Sequence, residues 1–123
     1  MTDAIKSYRD LEVYRRSYEL ALRVHKLSLA FPGFERFELG RQLREATKSI
    51  PANIAEGYGR KTSPADFKRF LVMSLGSCDE VRVWLEFCKD LVYVSESEAE
   101  CKELVDQYDQ VGKMLTGLLK AWH

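Results

Sequence analysis

The chain has 123 residues, of which 46% are hydrophobic and 31% are charged, with 19 basic and 19 acidic side chains in balance. This composition excludes an intrinsically disordered chain, and no apolar run approaches the roughly 18 residues that a membrane-spanning helix needs. The zero net charge gives no overall positive field toward nucleic acid or anionic lipid. The first ten residues lack the basic-then-apolar order of a signal peptide, so a cytoplasmic protein without membrane contact is the default expectation.

Four long stretches with helical periodicity follow one another, and nothing in the sequence is typical of a strand. The first stretch begins after Asp10, a residue suited to cap a helix, and ends at Phe31-Pro32. The second carries an apolar stripe that continues in register beyond Pro51, which predicts a kinked helix. The four predicted helices span about residues 11–31, 36–57, 64–92 and 97–121.

Two helix starts carry clear capping signals. Ser63 precedes Pro64, which combines an N-cap with a favourable first helical residue, and Ser95 and Glu98 have the spacing of a capping box. Helices of roughly 20 to 28 residues joined by short loops pack most economically with alternating direction. The sequence therefore predicts an all-α single domain over residues 1–123, an antiparallel up-down-up-down four-helix bundle with a kinked second helix.

The first and third predicted helices have a second apolar stripe that faces away from the core stripe. A bundle covers only one side of each helix, so these stripes would be exposed in a single copy and predict self-association. A wide core seam that spreads around both helices is the alternative. The candidate interface residues are Leu11, Tyr18, Leu22 and Leu29 on the first helix, and Val72, Gly76, Val83 and Phe87, with Val94, on the third.

Charge is segregated along the sequence. Residues 70–110 hold 10 acidic and 3 basic side chains, whereas residues 33–69 hold 8 basic and 5 acidic side chains. A row of basic residues on the second helix could bind RNA or DNA phosphates with release of counterions. The alternative is a solvated face, or a face paired with the acidic segments of a neighbouring copy. The candidate nucleic-acid-binding residues are Arg41, Arg44, Lys48, Arg60 and Lys61.

Residue patterns that carry catalysis or hold a metal are sparse. His25 and His123 are too few for an imidazole metal site, and the three cysteines lack a C-x-x-C pair and are predicted to be buried. Without a nucleophile motif or a phosphate-binding loop, the sequence predicts a protein that is not an enzyme and needs no cofactor or metal. Polar residues beside the core stripes predict a structural network between the second and third helices, with a small-ligand site as the alternative: Ser49, Asn53, Glu56, Ser77 and Glu80.

Several motifs, in order along nearly the whole chain, resemble those of one family. They are the segment 49–57 (SIPANIAEG), Arg60, Asp66-Phe67, Arg69-Phe70-Leu71 and Gly76-Ser77 with Glu80, together with residues 8–11 (YRDL), Phe31-Pro32 and residues 42–44 (QLR). The chain resembles the four-helix bundle proteins encoded in ribosomal-RNA intervening sequences. The resemblance implies an antiparallel bundle that assembles into a ring, usually a pentamer, without an established enzymatic activity. Related accessory variability proteins of diversity-generating retroelements share the fold and bind nucleic acid through a basic surface.

Two departures from the family pattern both reduce positive charge. Glu45 stands where the family commonly has Arg, and Ser74-Leu75 stands where it commonly has Ala-Arg. Two hypotheses follow. The first is a non-enzymatic, homo-oligomeric module whose ring presents surfaces to an unidentified partner, and the second is an RNA- or DNA-associated protein that uses the basic flank.

Overall fold

The computed structural model describes residues 5–91 and 98–123. A short 3-10 helix, Tyr8–Asp10, is followed by α1 (Glu12–Leu29), α2 (Gly33–Phe37), α3 (Leu39–Gly59), α4 (Pro64–Leu91) and α5 (Glu98–Ala121). The described ranges contain no strand. The four long helices α1, α3, α4 and α5 form a bundle, which confirms the predicted all-α fold class.

Each long helix packs against its neighbours in the chain, and α1 also contacts α5, which closes the bundle. Because α1 and α4 each pack mainly on α3 and α5, these two helices lie diagonally across the bundle from one another. Buried side chains from all four long helices join in one hydrophobic cluster. Its largest fully buried members include Tyr108, Phe31, Phe67, Leu43 and Ile50.

The start of α1 differs from the sequence prediction. Asp10 does not cap α1, because its Oδ2 accepts hydrogen bonds from the backbone N–H groups of Lys6 (2.8 Å) and Ser7 (3.1 Å) in the capping box of the 3-10 helix. These two bonds lower the pKa of the Asp10 carboxyl.

Leu11 is the residue before α1, and its backbone is extended, with φ −74° and ψ 122°. Its side chain is only 5% exposed and belongs to the core cluster. The prediction that Leu11 lies on an exposed stripe is therefore wrong. A projection at 100° per residue does not apply to a residue whose backbone is not helical.

The predicted second helix is two helices in the structure. The five-residue α2 is separated from α3 by Glu38, whose φ and ψ are −85° and −83°. As a result α3 begins at Leu39 rather than near residue 36 and ends at Gly59 rather than at residue 57. α3 is bent and contains Pro51, as predicted.

Residues 60–63 connect α3 to α4 in a tight turn. Ser63 Oγ accepts a hydrogen bond from the Asp66 backbone N–H at 3.3 Å, so the predicted N-cap is present. Just before the turn, a Cβ at Gly57 would lie 2.6 Å from Phe70 Cβ, so only glycine allows this close approach of the two helices. The predicted Ser95 cap and Val94 lie in residues 92–97, outside the described residues.

Candidate interaction surfaces

The predicted basic flank is not a row of free cations. Arg41 pairs with Glu45 at 3.3 Å, and Arg60 pairs with Glu56 at 3.4 Å, each across four residues of the chain. Arg41 and Arg60 lie at opposite ends of α3, roughly 28 Å apart at 1.5 Å per residue. The structure therefore divides the flank into two groups and neutralises one arginine in each.

Arg44 has a structural role. Its Nη1 donates to Ser28 Oγ at 3.0 Å and its Nη2 donates to the Arg36 carbonyl at 3.1 Å. The guanidinium thereby ties α3 to the end of α1 and to α2, and its donors are directed into the protein. At the C-terminal end of α3, where Arg60 lies, Lys61 Nζ is 4.1 Å from the centre of the Tyr58 ring, within the range of a cation–π contact.

Lys48 lies beside a histidine instead of a carboxylate. Its Nζ is 3.1 Å from Nδ1 of His25, within hydrogen-bond distance. Burial and the positive charges of Lys48 and Arg44 lower the pKa of His25. A neutral His25 can accept a hydrogen bond from the Lys48 ammonium, so the pair carries one positive charge rather than two.

Serine hydroxyls link α3 to α4 at partly buried positions. The hydroxyl oxygens of Ser49 and Ser77 are 2.6 Å apart, and Asn53 Nδ2 donates to the Ser49 carbonyl at 2.8 Å. Nearby, buried Ser74 Oγ donates to the Ile50 carbonyl at 3.0 Å. These contacts satisfy polar groups within the protein and have the character of a structural network.

The other two members of the predicted network do not join it. Glu56 accepts from Arg60, and Glu80 accepts from Trp84 Nε1 at 3.0 Å, four residues further along the chain in each case. Both glutamates are exposed. The prediction that they lie between α3 and α4 is therefore wrong. A glutamate side chain at the edge of a helix is long enough to bind a partner one turn away on the same helix, and both residues do so.

Four of the predicted interface residues lie on the outer side of α4. Val72, Val83 and Phe87 are 57%, 51% and 52% exposed, and a Cβ at Gly76 would meet no atom within 4 Å beyond its chain neighbours and its own helix backbone. We call these four residues the α4 face. Val83 and Phe87 are one helical turn apart, whereas exposed Asp79 lies on the same side between Val72 and Val83. Large apolar side chains that are half exposed on one side of a helix mark a candidate interaction surface.

Two of the corresponding residues of α1, Tyr18 and Leu22, line a groove between α1 and α3. Both are about half exposed, as is Leu29, which lies outside the groove lining. The groove has a volume of about 330 Å³, and its apolar lining includes Tyr14, Tyr18, Leu22, Pro51, Ala52 and Ala55. At the polar side of the lining are His25 and Lys48. We call this site the α1–α3 groove.

Sequence reasoning missed the α3 wall of this groove. Pro51, Ala52 and Ala55 have small side chains and recur on the side of α3 that faces α1. Their spacing is the sequence feature from which this wall could have been predicted. Sequence reasoning also missed Phe34 and Phe37 on α2, which are 75% and 71% exposed. Their spacing of three residues places them on one side of a helical turn.

The described residues offer little for catalysis. No group of His, Cys, Asp and Glu among them could hold a metal ion. The three cysteines are buried, as predicted, and Cys88 Sγ lies 3.3 Å from Cys101 Sγ. Burial raises the pKa of Cys78 to about 11, which disfavours the nucleophilic thiolate. None of the described helices is both long and apolar enough to cross a membrane.

A family model described as "23S rRNA-intervening sequence protein" matches residues 9–117. The chain belongs to this family. One solved structure similar to this chain is that of a protein of unknown function from the S23 ribosomal protein family of Bacteroides thetaiotaomicron. The two chains are 25% identical, with a TM-score of 0.77, and the match covers 89% of this chain and 99% of that chain. A comparison with curated proteins gives no match.

The solved structure is described as a protein of unknown function, and the family description names no reaction. A fold alone does not carry a function, so the surfaces of this chain are the basis for a functional proposal.

Proposed function

We propose that this chain is a non-enzymatic, cytoplasmic assembly module whose identical copies associate into a closed ring, of five copies as the family resemblance implies. The observation that carries the proposal is the presence of two exposed apolar surfaces on one small bundle. One is the α4 face, and the other is formed by the exposed residues of α1 at the α1–α3 groove. The ring would present its remaining surface to a protein partner.

The position of the two surfaces supports a ring rather than a simple dimer. Because α1 and α4 lie diagonally across the bundle, their outer sides face different directions. A two-fold dimer buries the same surface on both copies and would leave the other surface exposed. A head-to-tail contact uses both surfaces of every copy, and it closes into a ring when the rotation between copies permits.

Burying a single residue does not supply enough free energy for two copies to associate. Val83 and Phe87 are about half exposed, so burying the rest of each side chain would contribute roughly 1 kcal/mol. Association costs at least about 4 kcal/mol in translational and rotational freedom. Several residues on each face must therefore be buried together.

Size-exclusion chromatography with light scattering tests this proposal. The wild-type protein should have the mass of about five 14.2 kDa chains, and the double variant Val83→Glu/Phe87→Glu should have the mass of one chain. Thr116→Glu, at an exposed position on α5, is the matched control and should keep the wild-type mass. A monomeric or dimeric wild type, or a double variant of unchanged mass, would contradict the proposal.

The family's name is the observation that favours a second candidate, association with RNA. Lys48 and Lys61 are the two cations of the basic flank whose contacts in the described residues are to rings rather than carboxylates. A ring would repeat both lysines in every copy. If they bind phosphates of a ribosomal-RNA fragment, Lys48→Glu/Lys61→Glu should weaken binding and reduce the steepness of its salt dependence by about two counterions per copy. An unchanged salt dependence would contradict this second candidate.

A further inference from the structure

The α1–α3 groove and the α4 face differ in shape. The groove is concave because Pro51, Ala52 and Ala55 of α3 have short side chains beside Tyr14 and Tyr18 of α1. The residues of the α4 face all project from one helix, and Phe87 also lines a second groove with Leu39 and Trp84. A concave groove does not fit another copy of itself, whereas it fits a half-exposed side chain that projects from a helix, such as Phe87.

Their charges also differ in sign. Lys48 is the one permanently charged residue in the groove lining. On α4, Glu86 directly precedes Phe87, and Asp79, Glu80 and Asp90 are also exposed beside the face. Asp79 pairs with Arg82, Asp90 pairs with Lys89, and Glu80 accepts a hydrogen bond from Trp84 Nε1. Glu86 makes no ion pair with any described residue, so it is the carboxylate beside Phe87 that a lysine of a second copy can reach without displacing a partner.

We propose that the α1–α3 groove of one copy receives the Phe87 side chain of a second copy, with Lys48 of the first paired to Glu86 of the second. This inference rests on the proposed self-association and names the two surfaces that meet. The aromatic ring would enter the apolar part of the groove and displace water from it. Lys48 would fix the direction of docking, because the opposite end of the groove lacks a charge.

Two variants that each block one surface test the pairing. Leu22→Glu places a charge at the groove and leaves the α4 face intact, whereas Phe87→Glu does the reverse. Each variant alone should run as a single chain. An equimolar mixture should form a one-to-one heterodimer, because the intact α4 face of one variant fits the intact groove of the other. Light scattering, with a mass tag on one variant, measures the composition of this heterodimer. Circular dichroism confirms that both variants are folded.

The outcomes separate this inference from the proposed function. If the α4 face pairs with itself, Leu22→Glu alone still associates, which overturns the groove as the docking site. A mixture that remains monomeric, while the wild type associates, overturns the pairing as well. In both cases the wild type remains an oligomer, so self-association itself stands. An α4 face that pairs with itself would, however, give a two-fold contact and overturn the ring. A monomeric wild type would instead contradict both the proposed self-association and the pairing of the groove with the α4 face.

A charge exchange tests the proposed ion pair. Lys48→Glu should weaken association by about tenfold, because it places two carboxylates at one contact. Lys48→Glu/Glu86→Lys should recover most of this loss, whereas Lys48→Glu/Glu12→Lys, with the second change at an exposed position on α1, should recover none. Equal recovery by the two double variants would show a general charge effect and would overturn the specific pair.

Discussion

The α3–α4 contact and the α1–α5 contact are built from different kinds of side chain. Between α3 and α4, Gly57 allows close approach and short serine side chains form hydrogen bonds across the contact. Between α1 and α5, Arg23 reaches Glu103 at 3.3 Å and Arg16 reaches Gln107 at 2.9 Å, at partly exposed positions. The first contact depends on shape and tolerates little change in volume, whereas the second depends on long, solvated side chains that can adopt other positions.

The sharpest test of this difference is a single methyl group at Gly57. Gly57→Ala should lower the free energy of unfolding by about 1–3 kcal/mol, because the new Cβ would lie 2.6 Å from Phe70 Cβ. Gly59→Ala is the matched control, since its Cβ would meet no atom within 4 Å beyond its chain neighbours and its own helix backbone. The control should be neutral or up to about 1 kcal/mol more stable through higher helix propensity. If urea unfolding gives both variants the same free energy of unfolding, the close approach of α3 and α4 at Gly57 is contradicted.

The α4–α5 contact should respond to pH. Cys78 Sγ donates to the Tyr108 carbonyl at 3.1 Å, and burial raises the pKa of this thiol from 9.0 to about 11. The folded chain therefore holds the proton more tightly than the unfolded chain. The resulting stabilisation is fully present below about pH 9 and is lost as the pH rises to about 11. Burial also raises the pKa of the Tyr108 hydroxyl, which acts in the same direction.

Urea midpoints measured from pH 8 to pH 11 check this expectation. Stability should fall across the range, and Cys78→Ala should show a smaller fall because it removes one of the responsible groups. If the variant loses stability with pH as steeply as the wild type does, the Cys78 thiol is not among the groups that respond.

The smallest effect is expected at the α1–α5 contact. Arg23→Ala should cost less than about 1 kcal/mol, because Arg23 and its partners Glu100 and Glu103 are partly exposed. The loss should shrink further at high salt, where exposed charges are screened. Arg41→Ala removes a comparable exposed pair within α3 and serves as the control in thermal unfolding. A loss as large as that of Gly57→Ala would remove the distinction between the two contacts.

Much of the fold follows from the sequence, because periodicity and caps are local. The Ser63 cap and the Pro51 bend depend on residues within one or two turns, and both were predicted. Leu11 and Glu38 show where prediction from local helical periodicity fails. Their backbone angles depart from the helix, so a helical projection assigned Leu11 to the surface and joined α2 to α3.

The candidate surfaces were harder to predict, because charge and exposure depend on contacts between helices. Arg44 is a cation in the sequence, yet its donors are used by Ser28 and the Arg36 carbonyl, sixteen and eight residues away. The α1–α3 groove has walls from two helices, so neither helix alone indicates it. The exposed residues of α4 were accessible to prediction, since a single helix provides all of them.

The short turn at residues 60–63 has a consequence for the order of folding. Closing a loop of four residues costs little chain entropy, so α3 and α4 can meet as a local hairpin early in folding. The polar contacts of Arg16 and Arg23 between α1 and α5 join residues 77 to 94 positions apart and form only when most of the chain has collapsed. Changes at Gly57 should therefore slow folding, whereas changes at Arg23 should mainly accelerate unfolding.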